Sequence, residues 1–197
     1  REGIQGRSGP TEPRAEGDDP RQQGVRERTM PRRLRQRWQP DSIAEFQRAA
    51  RQRYDDGLTL ASQGRRTGAI YLWGYAAEMV LKAAYFRLTG VPSGRPLTVQ
   101  GDIRPAIQRG RTIHGLVWPV AGDGHNVRAW AELLIAERLS LTQPYPTDFG
   151  RQVQRCGQRI GLLWSESLRY HKNVAYVYEL RQVQESLEWL LTNEALL

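Results

Sequence analysis

The stretch Thr67–Gly90, TGAIYLWGYAAEMVLKAAYFRLTG, decides the fold of this chain. Apolar residues recur in it at steps of three and four, which is the spacing of one face of an α-helix. That face consists of Ile70, Gly74, Ala77, Leu81, Ala84 and Leu88, widened by Tyr71, Tyr75, Val80 and Tyr85. A helix that is apolar around so much of its circumference must lie between other helices. We therefore expect a long core helix in which Thr67 is the N-cap and Gly90 follows the last turn.

A second helix is predicted immediately before this stretch. Ser42 and Glu45 have the spacing of a capping box, in which the hydroxyl and the carboxylate bond backbone amides of the first turn. An apolar helical face follows and continues to the turn at residues 63–66. Because this turn is short, the two helices should form an antiparallel hairpin. Gly57 and Gly74 should let their backbones approach closely.

The rest of the chain continues in helical patterns. We predict a short helix near 102–109, an amphipathic helix at 127–139, a helix capped by Thr147 or Asp148, and a last helix at 174–192. The third of these should bury Phe149, Val153, Cys156, Ile160, Leu163 and Trp164, and the last should bury Tyr176, Leu180, Val183, Leu187 and Leu190. No segment has a convincing strand pattern. The fold class is therefore all-α, a bundle of four to six helices.

The first 39 residues differ from the rest of the chain. Residues 1–37 contain ten Arg and six acidic residues, with scattered Gly and Pro and almost no apolar periodicity. Such a segment buries too little apolar surface to offset the entropy lost on ordering it. We predict a disordered basic arm over 1–39, a helical domain over 40–193, and Met30 as a candidate for the natural start.

The composition favours some partners and excludes some chemistry. The net charge is +8, and of 29 basic residues only Lys82 and Lys172 are lysines. Arginine suits phosphate, so the charge is compatible with a nucleic-acid partner, although a base-composition bias of the genome would give the same pattern. No apolar run is long enough for a membrane span and the N-terminus lacks a signal-peptide core, which predicts a cytoplasmic protein. Cys156 is the single cysteine, which excludes an internal disulfide and a cysteine-based zinc site.

The middle of the long helix resembles the central helix of HEPN domains, in which a small residue and an aromatic residue precede Ala-Ala-Glu-x-x-Leu-Lys. Here residues 69–83 read AIYLWGYAAEMVLKA. The tripeptide HGL at 114–116 is similar to the His-Asp-Leu that opens the third segment of the family. The tripeptide LRY at 168–170 resembles the Arg-Tyr before its final helix. The resemblance spans about residues 43–192, with room for an extra helix around 127–139.

The resemblance implies a four- or five-helix bundle that is often dimeric. Many HEPN domains are metal-independent ribonucleases of toxin–antitoxin, defence or RNA-processing systems, and others are binding or assembly modules without catalysis. In the active members, an arginine and a histidine four to six residues apart lie at the start of the last helix, and two copies face each other across the dimer. The arginine would hold the scissile phosphate while the histidine transfers the proton of the attacking 2′-hydroxyl or of the leaving oxygen.

This chain departs from that catalytic motif. If Arg169 is the family arginine, the histidine belongs at 174–176, where the chain has Val, Ala and Tyr. His171 is only two residues on, about 200° around a helix, and would reach the same phosphate only if this segment is a loop. Arg109 and His114 have the formal spacing but lie between helices. We therefore predict no intact active site, with Arg169 and His171 as the first catalytic alternative and Arg109 and His114 as the second.

Three other titratable residues have structural interpretations. Glu78 and Lys82 lie at i and i+4 in the order that favours an ion pair, and in a buried helix we expect them to pair with each other. A general-acid role for Glu78 would need a second titratable partner, which the sequence does not identify. We expect His114 to begin a helix and bond a nearby backbone group, and His125 to be a solitary loop residue.

A row of arginines is the most specific candidate for phosphate contact. Arg151, Arg155 and Arg159 recur every four residues on one face of the predicted helix, and no acidic residue is interleaved on that face. Such a row can follow a nucleic-acid backbone, while a solvated helix face is the default interpretation. The tryptophans and tyrosines lie mainly on apolar stripes, so we expect them in the core or in a dimer interface rather than as platforms for bases.

These patterns predict a cytoplasmic, HEPN-like binding or assembly module that is homodimeric, catalytically inactive and associated with RNA. The alternative is a metal-independent endoribonuclease of a toxin–antitoxin or defence system. A third hypothesis is the helical partner of a nucleotidyltransferase-type antitoxin. We expect no cofactor and no metal, because the sequence has no phosphate-binding glycine loop, no nucleophile elbow and no set of His, Asp and Glu at metal-ligand spacing.

Overall fold

A computed structural model describes residues 39–118 and 124–197, and every regular element in these two ranges is helical. The helices are α1 Ile43–Ser62, α2 Arg66–Leu88, α3 Arg104–Thr112, α4 Val127–Ser140, α5 Thr147–Leu163 and α6 Val177–Thr192. A π-helical turn, Val99–Ile103, leads into α3, and a 3-10 turn, Glu166–Tyr170, lies between α5 and α6. The prediction of an all-α protein is confirmed. The predicted arm, 1–39 with Met30, lies outside the described residues except for Gln39.

The core is built around α2. Fifteen of its 23 residues are buried, on all sides of the helix, because α1, α4, α5 and α6 pack against it. Gly90 follows its end with φ +80°, as predicted for the residue after the last turn. Thr67 is not the N-cap; it lies inside the first turn and is 3% exposed. Its hydroxyl instead accepts hydrogen bonds from two backbone amides of the segment before α6.

α1 and α2 pack side by side in opposite directions. Leu60, near the end of α1, lies against Gly68 at the start of α2, and Tyr54, earlier in α1, contacts Trp73 further along α2. The Trp73 indole occupies the space where a side chain at Gly57 would lie, since a Cβ there would be 2.2 Å from Nε1. The same Nε1 donates to the carbonyl of Tyr54 at 3.0 Å. Gly57 therefore makes room for a tryptophan ring rather than for a second backbone.

The second glycine of the predicted close approach has the same role against a different helix. A Cβ at Gly74 would lie 2.1 Å from the Trp164 ring, which follows α5. Trp164 Nε1 donates to the carbonyl of Tyr71 at 3.0 Å, three residues before that glycine. The bundle thus uses one arrangement twice, an indole lying over a helical glycine and bonded to the carbonyl three residues earlier.

The last two helices begin differently from the prediction. α6 begins at Val177, three residues later than expected, because the amides of Val174 and Ala175 bond to a side chain of α2 and their segment stays extended. Tyr176 is consequently the N-cap residue and is 64% exposed instead of buried. α5 begins at Thr147 after Pro146, with no side-chain cap. Among the helices of the described residues, none combines the length and apolar character that crossing a membrane requires.

Candidate functional site

The segment between α5 and α6 forms a surface cavity of about 460 Å³ with the start of α2. Its basic lining residues are Arg65, Arg169, His171 and Lys172, and the described residues that line it include no acidic side chain. Arg65 is the N-cap residue of α2, so the positive end of the helix dipole also lies here. The cavity is therefore suited to an anion.

The extended segment 173–175 is held against the start of α2 and the turn before it by five hydrogen bonds, one of them from the amide of Val174 to the Thr67 hydroxyl at 2.8 Å. Asn173 accepts from the amide of Thr67 at 3.0 Å and donates to the carbonyl of Gly64 at 2.8 Å. The hydroxyl of Thr67 accepts the amide of Ala175 at 2.9 Å, and Arg66 Nε donates to the carbonyl of the same residue at 2.6 Å. These bonds pair backbone amides and carbonyls of both segments and hold in place the residues that line the cavity.

Arg169 and His171, the first catalytic alternative, both line this cavity. Arg169 lies in the 3-10 turn, with its guanidinium 4.7 Å from the centre of the Tyr170 ring. His171 has extended backbone, with φ −102° and ψ 141°. Since the segment is not α-helical, the rotation that would separate the two side chains on a helix does not apply. Residues 174–176, where a HEPN histidine is expected, are Val, Ala and Tyr.

Three exposed tyrosines stand close in the sequence to the residues that line the cavity. Tyr170, Tyr176 and Tyr178 are 75%, 64% and 59% exposed. The rings of Tyr176 and Tyr178 are nearly parallel, with centroids 5.7 Å apart and an interplanar angle of 10°. Trp73 and Trp130, each 0% exposed, lie in the core as expected, whereas these three tyrosines lie outside it.

The second catalytic alternative, Arg109 and His114, meets on a buried carboxylate. Arg109 donates from Nε and Nη2 to the two oxygens of Glu137, at 2.7 and 2.9 Å, and His114 Nε2 lies 2.9 Å from Glu137 Oε2. The prediction that His114 begins a helix and bonds a backbone group is wrong. It follows α3, and its partner is a side chain of α4, because the loop after α3 folds back onto that helix.

Glu137 is an almost fully enclosed charge, since its side chain is 3% exposed. Burial alone would raise the pKa of Glu137, but hydrogen bonds from Arg109 and His114 outweigh it and lower the pKa. His114 is 8% exposed in its side chain, whereas Arg109 is 43% exposed. The histidine of this pair is thus enclosed, which favours a structural role, and only the arginine reaches solvent.

Glu78 and Lys82 form the ion pair that their spacing predicts, with Nζ and Oε1 2.5 Å apart. The second partner of Glu78 is His125, whose Nδ1 lies 2.9 Å from Oε2, while His125 Nε2 is 3.8 Å from Glu166. His125 is therefore not solitary, because the loop before α4 packs against α2. The hydrogen bond to Glu78 raises the pKa of His125, against the opposing effect of burial.

The arginine row lies on the exposed side of α5, in agreement with its spacing. Arg151 Nη2 donates to Asp148 at 2.7 Å, so the expectation that no acidic residue neutralises the row is wrong at its first position. Asp148 precedes Arg151 by three residues, which places the two on neighbouring turns. Arg155 donates to the neutral Gln152 at 3.3 Å and keeps its charge. Arg159 is exposed as well.

Sequence reasoning named neither Glu137 nor Glu166, and it assigned no partner to His125. The sequence does contain an indication for Glu137. It stands on the apolar face of α4, three residues after Leu134, where a buried charge requires a partner. The other two had none, because their contacts join segments far apart in the chain.

Within residues 39–118 and 124–197, no group of three or more His, Cys, Asp or Glu side chains is arranged to hold a metal ion. The chain matches no protein-family model, and searches of curated proteins and of solved structures find no match to it. Membership of the HEPN family therefore stays a hypothesis that rests on the motifs.

Proposed function

We propose that this chain is a HEPN-like helical module that binds RNA without hydrolysing it. The observation that supports this function best is the cavity beside the start of α2, whose charged lining residues are all basic. Arg65, Arg169 and Lys172 contribute three permanent positive charges there. Arginine and lysine at such a surface contact phosphates, and this contact supplies most of the affinity of sequence-independent binding.

The neighbouring tyrosines give the same surface a way to hold bases. Exposed aromatic rings stack on unpaired bases, and each stacked base is worth about 1–3 kcal/mol. Tyr176 and Tyr178 present two nearly parallel rings beside the basic segment. An RNA strand could place its phosphates in the cavity and its bases on the rings. A compact anion would use only the cavity, so this arrangement fits an RNA strand better.

The proposal is tested by fluorescence anisotropy with a labelled single-stranded RNA in EDTA. Arg169→Gln and Lys172→Gln should weaken binding and each lower the slope of log affinity against log salt by about 1, since each removes one phosphate contact. The matched control is Arg155→Gln, which removes one exposed arginine from α5. Equal losses in all three variants would mean non-specific attraction, and a loss in the control alone would assign binding to α5.

A second function is favoured by one observation. Arg169 and His171 line the same cavity, so one phosphate within it would lie near both a guanidinium and an imidazole. This would suit a metal-independent endoribonuclease, with Arg169 stabilising the phosphate and His171 transferring the proton. In that case the purified protein would cleave RNA in EDTA, and Arg169→Ala and His171→Asn would each abolish cleavage. Binding without cleavage favours the non-hydrolytic module.

The partners proposed for this module are a second copy of the chain and a nucleotidyltransferase-type antitoxin. Two exposed apolar residues, Val174 in the segment before α6 and Val177 at its start, are each 57% exposed and would be covered in a dimer. Light scattering at increasing concentration tests the dimer. Co-purification with the product of a neighbouring gene tests the antitoxin.

A further inference from the structure

A second cavity, of about 600 Å³, lies where the end of α2, the π-helical turn, α3 and the end of α4 meet. Its apolar lining residues include Phe86, Leu88, Val91, Ala106 and Leu141. Small-molecule sites in proteins typically have about 300–1,000 Å³ and are mostly apolar, with a few polar groups that orient the ligand. The cavity therefore has the size and the walls of such a site.

The first polar group at this cavity is the Arg109 guanidinium. Its Nε and Nη2 donate to Glu137, which is buried and itself held by His114. An arginine has five N–H hydrogens, so this bidentate contact leaves three that point away from the carboxylate. Within the described residues, Arg109 makes side-chain hydrogen bonds to Glu137 alone, so its other N–H groups can bind a ligand. Because the guanidinium is already ordered, a ligand would bind its outer edge with little further loss of side-chain entropy.

The second polar group is the hydroxyl of Tyr85. This residue is 3% exposed, it lines the cavity, and in the described part of the chain its hydroxyl has no hydrogen-bond partner. Burial, with a contribution from the negative charge of Glu137, raises the pKa of Tyr85 to about 12. The phenol therefore stays protonated and is a donor. An acceptor supplied by a ligand would give this donor the hydrogen bond that it lacks within the described protein.

The charges around the cavity restrict the class of ligand. Glu137 is offset by Arg109, and Asp102, which also lines the cavity, is paired with Arg95 and accepts the amide of Thr98 at 2.7 Å. These four side chains together carry no net charge, although Arg95 itself does not line the cavity, and the two polar groups described above are donors. A singly charged anion fits this balance better than a phosphate, which would introduce about two negative charges.

We propose that this cavity binds a small amphipathic carboxylate. The carboxylate accepts hydrogen bonds from the outer edge of Arg109 and from the Tyr85 hydroxyl. The apolar body lies against Phe86, Val91 and Leu141. This site is separate from the RNA-binding surface proposed above and shares no lining residue with it.

The test is calorimetric titration of the full chain with straight-chain alkanoates from butyrate to octanoate. Binding should be saturable, and affinity should rise about fourfold with each added CH₂ group as it is buried in the cavity. Alkylamines of the same lengths should bind at least about tenfold more weakly, because they offer a donor where the site needs an acceptor.

Two variants assign the binding to this cavity. Tyr85→Phe breaks no hydrogen bond within the described protein and should lower octanoate affinity about tenfold without affecting folding. Arg109→Gln should lower it at least as much. Tyr170→Phe, which removes an exposed hydroxyl elsewhere, is the control and should leave affinity unchanged.

Three results would overturn the proposal. They are no saturable binding of octanoate by the natural sequence, equal binding of octylamine, and octanoate affinity that is the same in Tyr85→Phe as in the Tyr170→Phe control. If Arg109→Gln fails to fold, Tyr85→Phe alone decides the question.

Discussion

Two buried glutamates, Glu78 in α2 and Glu137 in α4, have the same kinds of partner, a cation and a histidine. They differ in which of the two partners is exposed to solvent. Each carboxylate is bound by one cation and one histidine, and each is almost fully enclosed. The partners are Lys82 and His125 for Glu78, and Arg109 and His114 for Glu137. Around Glu78 the cation is enclosed and the histidine is exposed, and around Glu137 the reverse holds.

The exposed partner determines how each cluster can respond to its surroundings. The Glu137 cluster reaches solvent through a permanent charge, a guanidinium that is 43% exposed, and so it can bind an anion at any physiological pH. The Glu78 cluster reaches solvent through the imidazole of His125, which is 37% exposed, and so it responds to pH. A buried glutamate thus orders an anion-binding group in one cluster and a titrating group in the other.

The largest effect is expected for Glu78→Ala. This change leaves Lys82, whose side chain is 9% exposed, without a carboxylate in the core. Removing one partner of a buried ion pair costs about 3–5 kcal/mol. Urea unfolding measures the loss. The double variant Glu78→Leu with Lys82→Met removes both charges at similar volume and should recover most of it. Equal losses in the single and double variants would show that packing, not charge, is responsible.

A smaller effect is expected for Glu137→Ala. The cation left behind, Arg109, is half exposed and remains solvated, so the cost is mainly that of the lost hydrogen bonds, about 1–3 kcal/mol. The same urea experiment compares it with Glu78→Ala. A greater loss for Glu137→Ala than for Glu78→Ala would contradict the comparison between the two clusters.

The smallest effect is expected for His125→Gln, and it should depend on pH. The bond to Glu78 raises the folded-state pKa of His125 above its unfolded value of about 6.5. Its stabilising contribution is therefore complete below that unfolded value and is lost as pH rises through the folded value. Unfolding curves between about pH 5 and 9 should show the natural chain losing more stability than His125→Gln across that window.

The acid side of the same profile is the internal control. The pKa of Glu137 is lowered, so its contribution is present above its unfolded value and is lost as pH falls through its folded value. Both chains keep Glu137 and should lose this stability alike. A difference between them that is confined to acidic pH would count against His125 as the titrating group.

Much of the fold could be predicted from local patterns. The periodicity of 67–90 identifies α2 as the core helix, and the i, i+4 spacing of Glu78 and Lys82 predicts their ion pair, because both signals lie within one helix. The start of α6 could not be predicted. The amides of Val174 and Ala175 bond to Thr67, about a hundred residues earlier, and this tertiary contact overrides a helical pattern in the local sequence.

The candidate sites were less accessible to sequence reasoning. Helix geometry placed Arg169 and His171 on different faces, and their common cavity arises only because the segment after α5 is a 3-10 turn followed by extended backbone. The group formed by Arg109, His114 and Glu137 joins α3, its following loop and α4. Spacing along the chain gives no information on contacts between separate helices, so both sites become visible only in the three-dimensional structure.

The central claim, that RNA binds beside the start of α2, is tested most directly by ultraviolet crosslinking to oligouridine followed by peptide mapping. Crosslinks should lie in residues 165–178, on Tyr170, Tyr176 or Tyr178, and should fall sharply in Arg169→Gln. Crosslinks confined to α5, or crosslinks at 165–178 that persist unchanged in Arg169→Gln, would contradict the claim.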